Sequence, residues 1–139
     1  MQPDTRDIVQ IIVYRDAGSV EYLLLQRSPE DGGWWQPVTG HVEFGESEQE
    51  ALLRELAEET GITRPKFVSQ QIHSNPLDGG VGQASVYMVQ ADADAEIKLE
   101  PGEHVQYKWV NFEDALNLLK YDGNKDNLRR ADALLAEAR

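Results

Sequence analysis

Glutamates crowd one short stretch of this chain. Gly40-His41-Val42-Glu43-Phe44-Gly45-Glu46 is followed, seven residues on, by Arg54-Glu55-Leu56-Ala57-Glu58-Glu59-Thr60-Gly61-Ile62. If the second segment is helical, at about 100° per residue, Glu55, Glu58 and Glu59 fall within an arc of roughly 100°. Three carboxylates then share one face, and like charges so placed repel unless something neutralises them. Arg54 alone cannot do so. A divalent cation can, because Mg²⁺ and Mn²⁺ favour carboxylate oxygens. Cations so held attract phosphate groups and lower the pKa of bound water. For an isolated E-x-x-E-E spacing, a solvated glutamate-rich face is the plainer alternative.

The cluster needs a helix and a rigid support. Ser47 with Glu50 three residues later makes a capping box, Glu48 to Thr60 are mostly good helix formers, and Gly61 is a natural C-terminal residue. The pattern predicts a helix over 48–60, anchored to the core by Leu53, Leu56 and Thr60. Gly40 and Gly45 allow a tight turn ahead of it and bring backbone carbonyls near a metal. Upstream, Ile8–Tyr14 and Tyr22–Gln26 read as strands paired in a hairpin through Asp16-Ala17-Gly18-Ser19. Trp34–Thr39 is short and extended. Downstream, Lys66–His73 and Ala84–Ala91 read as strands around an Asp78-Gly79-Gly80 turn, and Ala91–Gly102 as an acidic, turn-like stretch. Tyr107–Val110 reads as a strand. Phe112–Leu119 and Asp126–Ala138 read as helices, the latter packing through Leu128, Ala131, Leu134, Leu135 and Ala138. Strands interleaved with a few helices predict a sheet covered by helices, in one domain over 1–139.

Composition narrows the classes. The chain has 139 residues and a formal net charge of −12. So acidic a surface repels nucleic-acid backbones, which argues against a general nucleic-acid binder. It does not exclude phosphate substrates if carboxylates first collect hard cations. Cysteine is absent, which removes disulfides and thiolate metal sites. No apolar run is long enough for a membrane span, and Met1–Asp7 lacks the charge and apolar pattern of a signal peptide. A cytoplasmic protein with no membrane partner, monomer or homodimer, is expected.

The spacing of Gly40, Glu46, Arg54, Glu55, Leu56, Glu58, Glu59, Gly61 and Ile62 resembles the signature box of the Nudix hydrolase family. The resemblance implies an α+β fold, an α/β/α sandwich with a mixed sheet flanked by helices. It implies Mg²⁺, with Mn²⁺ as the alternative, held by Glu55, Glu58, Glu59 and the Gly40 carbonyl. Glu46 and Arg54 would form an ion pair that orients the loop and the helix. The downstream stretch Glu103-His104-Val105-Gln106-Tyr107-Lys108-Trp109 is similar to one found in many nucleotide hydrolases of the family. It makes Glu103 a candidate further ligand or general base; an ordinary loop acid is the alternative.

Trp35-Gln36-Pro37-Val38-Thr39-Gly40 is similar to the dihydroneopterin triphosphate and dATP pyrophosphohydrolases of the family. A nucleoside triphosphate-like substrate, cut to a monophosphate and pyrophosphate, is therefore the first expectation. A dinucleoside polyphosphate or an RNA 5′ end is the second. A non-catalytic nucleotide sensor is the competing class, although such a module would be expected to lose box glutamates. Arg27 and Lys108 could meet phosphates, and Trp34, Trp35 or Tyr87 could stack on a base, though aromatics are more often core. His73 and His104 lack the spacing of a zinc site.

Overall fold

The computed structural model describes residues 4–77 and 82–138. The Asp78-Gly79-Gly80 turn lies outside the described residues. The first strand, β1 (Asp4–Asp16), runs through the middle of a mixed sheet. It pairs antiparallel with β2 (Val20–Arg27) and β4 (Val38–Glu43), and parallel with β7 (Gln83–Gln90). Short β3 (Trp35–Gln36) and β8 (His104–Val110) both pair antiparallel with β2. β5 (Phe67–Val68) and β6 (His73–Pro76) pair antiparallel with β7.

Strand residues alternate between two cores. Val9, Ile11 and Val13 of β1, Leu23 and Leu25 of β2, and Tyr87 and Val89 of β7 pack with Ala51, Leu52 and Leu56 of helix α1 (Glu48–Thr60). Ile12, Tyr14, Tyr22, Leu24, Val86 and Met88 face the other way. They pack with Ala115 of α2 (Phe112–Leu118) and with Leu128 and Ala131 of α3 (Asp122–Glu137). Burial on both faces explains why β1 reads as a continuous apolar run rather than an alternating one. The sheet flanked by helices is the expected sandwich. Among the described residues, no helix is long and apolar enough to cross a membrane.

Several expectations need correction. Leu53 does not anchor α1: it is 46% exposed, and Ala51, Leu52, Leu56 and Thr60 face the core instead. Leu52 and Leu56 stand one turn apart, and Leu53 is rotated about 100° from the first of them. The strand expected over 66–73 is interrupted. The Ser69 hydroxyl accepts the Met88 backbone N–H at 2.8 Å, taking the place of a ladder carbonyl. Helix α3 starts a turn earlier than Asp126, where Gln10 donates to the Asn124 side chain at 2.9 Å. At its far end Leu134 and Ala138 are exposed, while Leu135 packs against the second core. Gly40 lies within strand β4 and has no turn role.

Candidate active site

The capping box sets where α1 begins. Ser47 Oγ accepts the Glu50 N–H at 3.1 Å, and Glu50 Oε1 accepts the Ser47 N–H at 2.8 Å. Gly61, at φ +79°, ends the helix by donating its N–H to Ala57 O at 3.0 Å. Between these stops, α1 lies across β4 with its carboxylates along a cleft of about 640 Å³. Thr39, Gly40, His41 and Glu43 of β4 form one wall and Arg54, Glu55, Glu58 and Glu59 another, with Arg27, Gln36, Glu103 and His104 closing the end.

Gly40 earns its place by close approach. A Cβ built on it would fall inside the Glu55 carboxylate, so only glycine leaves that carboxylate in its place against β4. Gly45, at φ +86°, supplies the turn after β4.

Arg54 is the organising cation. Its Nε donates to Glu46 Oε2 at 2.6 Å and its Nη2 to Glu46 Oε1 at 3.0 Å, a bidentate pair. Nη2 also donates to His41 O at 2.9 Å, and Nη1 to Glu55 at 2.7 Å and Glu58 at 3.3 Å. Glu46 Oε1 accepts the Glu43 N–H at 2.9 Å, so one carboxylate ties the turn to the helix. The hydrogen bond from Arg54 holds the Glu46 carboxyl below its ordinary pKa, and Glu46 in turn raises that of Arg54.

The glutamates of the face differ sharply in exposure. Glu58 is exposed, Glu55 is half-buried and Glu59 is 3% exposed. Glu59 shares the buried side of α1 with Leu52 and Leu56. Burial, then the neighbouring Glu55, then Glu103 and Glu100 push its carboxyl well above the glutamate range. Among the described residues, its Oε1 has no hydrogen-bond partner.

Glu103 is exposed in the turn before β8. One carboxylate oxygen each from Glu59 and Glu103 and one ring nitrogen of His104 lie within 4.8 Å of one another. The donor set, carboxylates around a glycine-cleared approach with one buried carboxylate oxygen unpartnered, fits a hard divalent cation.

The profile of the NUDIX domain matches residues 4–131. The chain belongs to the Nudix hydrolase family. It is 35% identical over 136 residues to an octanoyltransferase of Myxococcus xanthus, covering 94% of this chain but spanning only 38% of that protein's length. It is 31% identical over 131 residues to an asymmetrical bis(5′-nucleosyl)-tetraphosphatase of Caenorhabditis elegans, covering 91% of this chain and 94% of that one. A solved binary complex of a C. elegans Ap4A hydrolase superposes with a TM-score of 0.79 at 29% identity, over 94% of this chain and 99% of the other. The Escherichia coli dihydroneopterin triphosphate pyrophosphohydrolase shares the Nudix fold, with a TM-score of 0.70 at 23% identity over 94% and 97% of the two chains.

The other residues singled out by sequence separate clearly. Trp35 is buried in the second core, with Lys108 Nζ 5.0 Å from its ring centroid and outside the cleft lining. Tyr87 is core, its hydroxyl donating to Glu48 at 2.5 Å; burial and that carboxylate push its pKa up to about 12. His73 lines a separate pocket with Gln10 and Asn127.

Trp34 stands edge-on to Tyr121 at 5.6 Å, with Lys120 Nζ 4.2 Å and the Arg27 guanidinium 5.8 Å from its ring. Arg27 also lines the cleft and links it to this group; Trp34, Lys120 and Tyr121 are not among the lining residues. Sequence reasoning gave no role to Tyr121, Lys120, Gln36 or His104. For the first two, the adjacency of an aromatic and a lysine after a helix was the only signal.

Proposed function

We propose that this Nudix domain hydrolyses a phosphoric anhydride bond in a dinucleoside polyphosphate, giving a nucleoside triphosphate and a nucleoside monophosphate from a tetraphosphate. The observation that carries the anhydride chemistry is the convergence of Glu55, Glu58, Glu59 and Glu103 on one cleft, with Gly40 clearing the approach. Glu55, Glu58, Glu59, Glu103 and the Gly40 carbonyl would hold Mg²⁺ or Mn²⁺. When bound, the cation neutralises phosphoryl oxygens and lowers the pKa of water. Arg54 and Glu46 keep α1 and its preceding turn in register. Glu103, exposed beside the cleft, would accept the proton of the attacking water or share in cation binding. Arg27 meets the phosphate chain.

The dinucleoside substrate is supported by the tetraphosphatase relative, which aligns over nearly the full length of both chains. It is supported also by the Trp34, Tyr121, Lys120 and Arg27 group beside the cleft. Flat aromatic faces next to cations suit a nucleobase and the phosphates attached to it. The second reading, a triphosphate cut to monophosphate and pyrophosphate, draws on the Trp35–Gly40 segment. The non-catalytic sensor is disfavoured because every box carboxylate is kept.

A panel with product identification tests this. Dinucleoside tetraphosphate, the common ribo- and deoxyribonucleoside triphosphates, dihydroneopterin triphosphate and 5′-triphosphate RNA would be compared with Mg²⁺. Dinucleoside tetraphosphate should show the highest kcat/KM and give triphosphate plus monophosphate. A higher value for a triphosphate, with pyrophosphate released, would replace this reading with the second. No hydrolysis of any member would sink the catalytic reading.

A further inference from the structure

Among the described residues, two buried side-chain polar atoms have no hydrogen-bond partner: Glu59 Oε1 and His104 Nδ1. They face each other at 3.7 Å, and each side chain is 4% exposed. A gap of that size is too short to admit a water between the two atoms and slightly too long for a hydrogen bond.

The other ring nitrogen of His104 is engaged. Nε2 lies 3.1 Å from the side-chain amide nitrogen of Gln36. With its amide nitrogen so placed, Gln36 donates and Nε2 accepts. The proton of the neutral ring then sits on Nδ1 and points at Glu59. A protonated Nδ1 cannot itself ligate a metal, although His104 belongs to the group formed with Glu59 and Glu103.

The three residues come from three elements. Gln36 lies on β3 and pairs with Leu25 of β2; His104 opens β8 and pairs with Arg27 of β2; Glu59 lies on α1. The ring is thus fixed from the sheet, independently of the helix that it meets.

We propose that Gln36 and His104 are a positioning pair for Glu59. Gln36 sets the His104 tautomer, and Nδ1–H restrains Glu59 Oε1, leaving the second carboxylate oxygen to the cleft. This rests on the metal reading above. The physical logic is that a ligand whose orientation is fixed beforehand binds its ion more tightly. Loss of such an outer partner commonly costs about 10–100-fold in metal affinity.

The test measures Mn²⁺ binding by electron paramagnetic resonance, without substrate. His104→Leu should weaken binding by about 10–100-fold. His104→Asn, which keeps an N–H near the Nδ1 position, should recover most of the loss. Gln36→Leu should weaken binding less, and the Gln36→Leu/His104→Leu pair should be no worse than His104→Leu alone. Unchanged Mn²⁺ affinity in His104→Leu would overturn the proposal, as would an Asn variant no better than Leu.

A measurement on the wild type stands apart from any folding defect. The ¹⁵N shifts of the His104 ring should report a proton on Nδ1 and none on Nε2; the reverse tautomer overturns the proposal. Failure of the wild type to bind Mn²⁺ at all would instead sink the metal reading itself.

Discussion

Glu59 is a carboxylate buried at the edge of the cleft, with neighbours that are also acidic. An unfolded glutamate loses its proton near 4.5, whereas burial keeps that of folded Glu59 bound well above this. Between those two points the folded state holds a proton that the unfolded state has released. Stability of the metal-free protein must therefore fall as pH rises through that window. A bound cation would favour the charged carboxylate and offset the loss. Thermal unfolding in chelator and in Mg²⁺, from about pH 5 to about pH 8, should show a melting temperature that declines with pH only in chelator. Glu59→Gln has no proton to release and should flatten that decline. If wild type and variant follow the same curve in chelator, the buried carboxyl is not the cause.

At the scale of elements, the place of the Glu55 carboxylate between α1 and β4 depends on a missing side chain. Gly40→Ala would place a methyl where the Glu55 carboxylate stands. The obstructed atoms are the far end of a flexible side chain, so the fold should tolerate the change while the carboxylate moves. We expect a melting temperature close to wild type, a raised Mg²⁺ requirement and a kcat/KM reduced by about tenfold or more. Wild-type kinetics in this variant would mean that the α1–β4 approach has no functional weight.

The legibility of the sequence divides along the same line. Helix α1 could be read to the residue because its stop signals are local: Ser47 with Glu50 at one end and Gly61 at the other. The interruption at Ser69 could not, because a hydroxyl displaces a ladder carbonyl only once β7 is alongside. The convergence of the box glutamates was legible from helical spacing. Which of them would be buried was not, since Glu59 sits at the border between the apolar side shared with Leu52 and the cleft. The link from Gln36 to His104 joins two strands on β2 that are 68 residues apart and leaves no mark in either segment.

At the scale of the whole molecule, the central parallel pair aligns Ile8 with Ala84 and Tyr14 with Gln90. Every strand from β2 to β6, and the glutamate helix, lies in sequence between these two partners. A chain leaving the ribosome can close the β1–β2 hairpin and lay α1 on β4 early. β1 must then wait with one edge open until β7 has emerged, because closing so long a loop is slow. Glu103 and His104 arrive later still, with β8. The cleft is thus the last thing to be completed, and a cation bound there should act on the finished state rather than on the path to it. Stopped-flow fluorescence of the three tryptophans offers the check. Mg²⁺ should slow unfolding and leave the refolding rate unchanged; faster refolding with Mg²⁺ would place the site earlier on the path. For a cell making this protein, the vulnerable interval would be the time when β1 is exposed and β7 is not yet synthesised, and magnesium would give no protection during it.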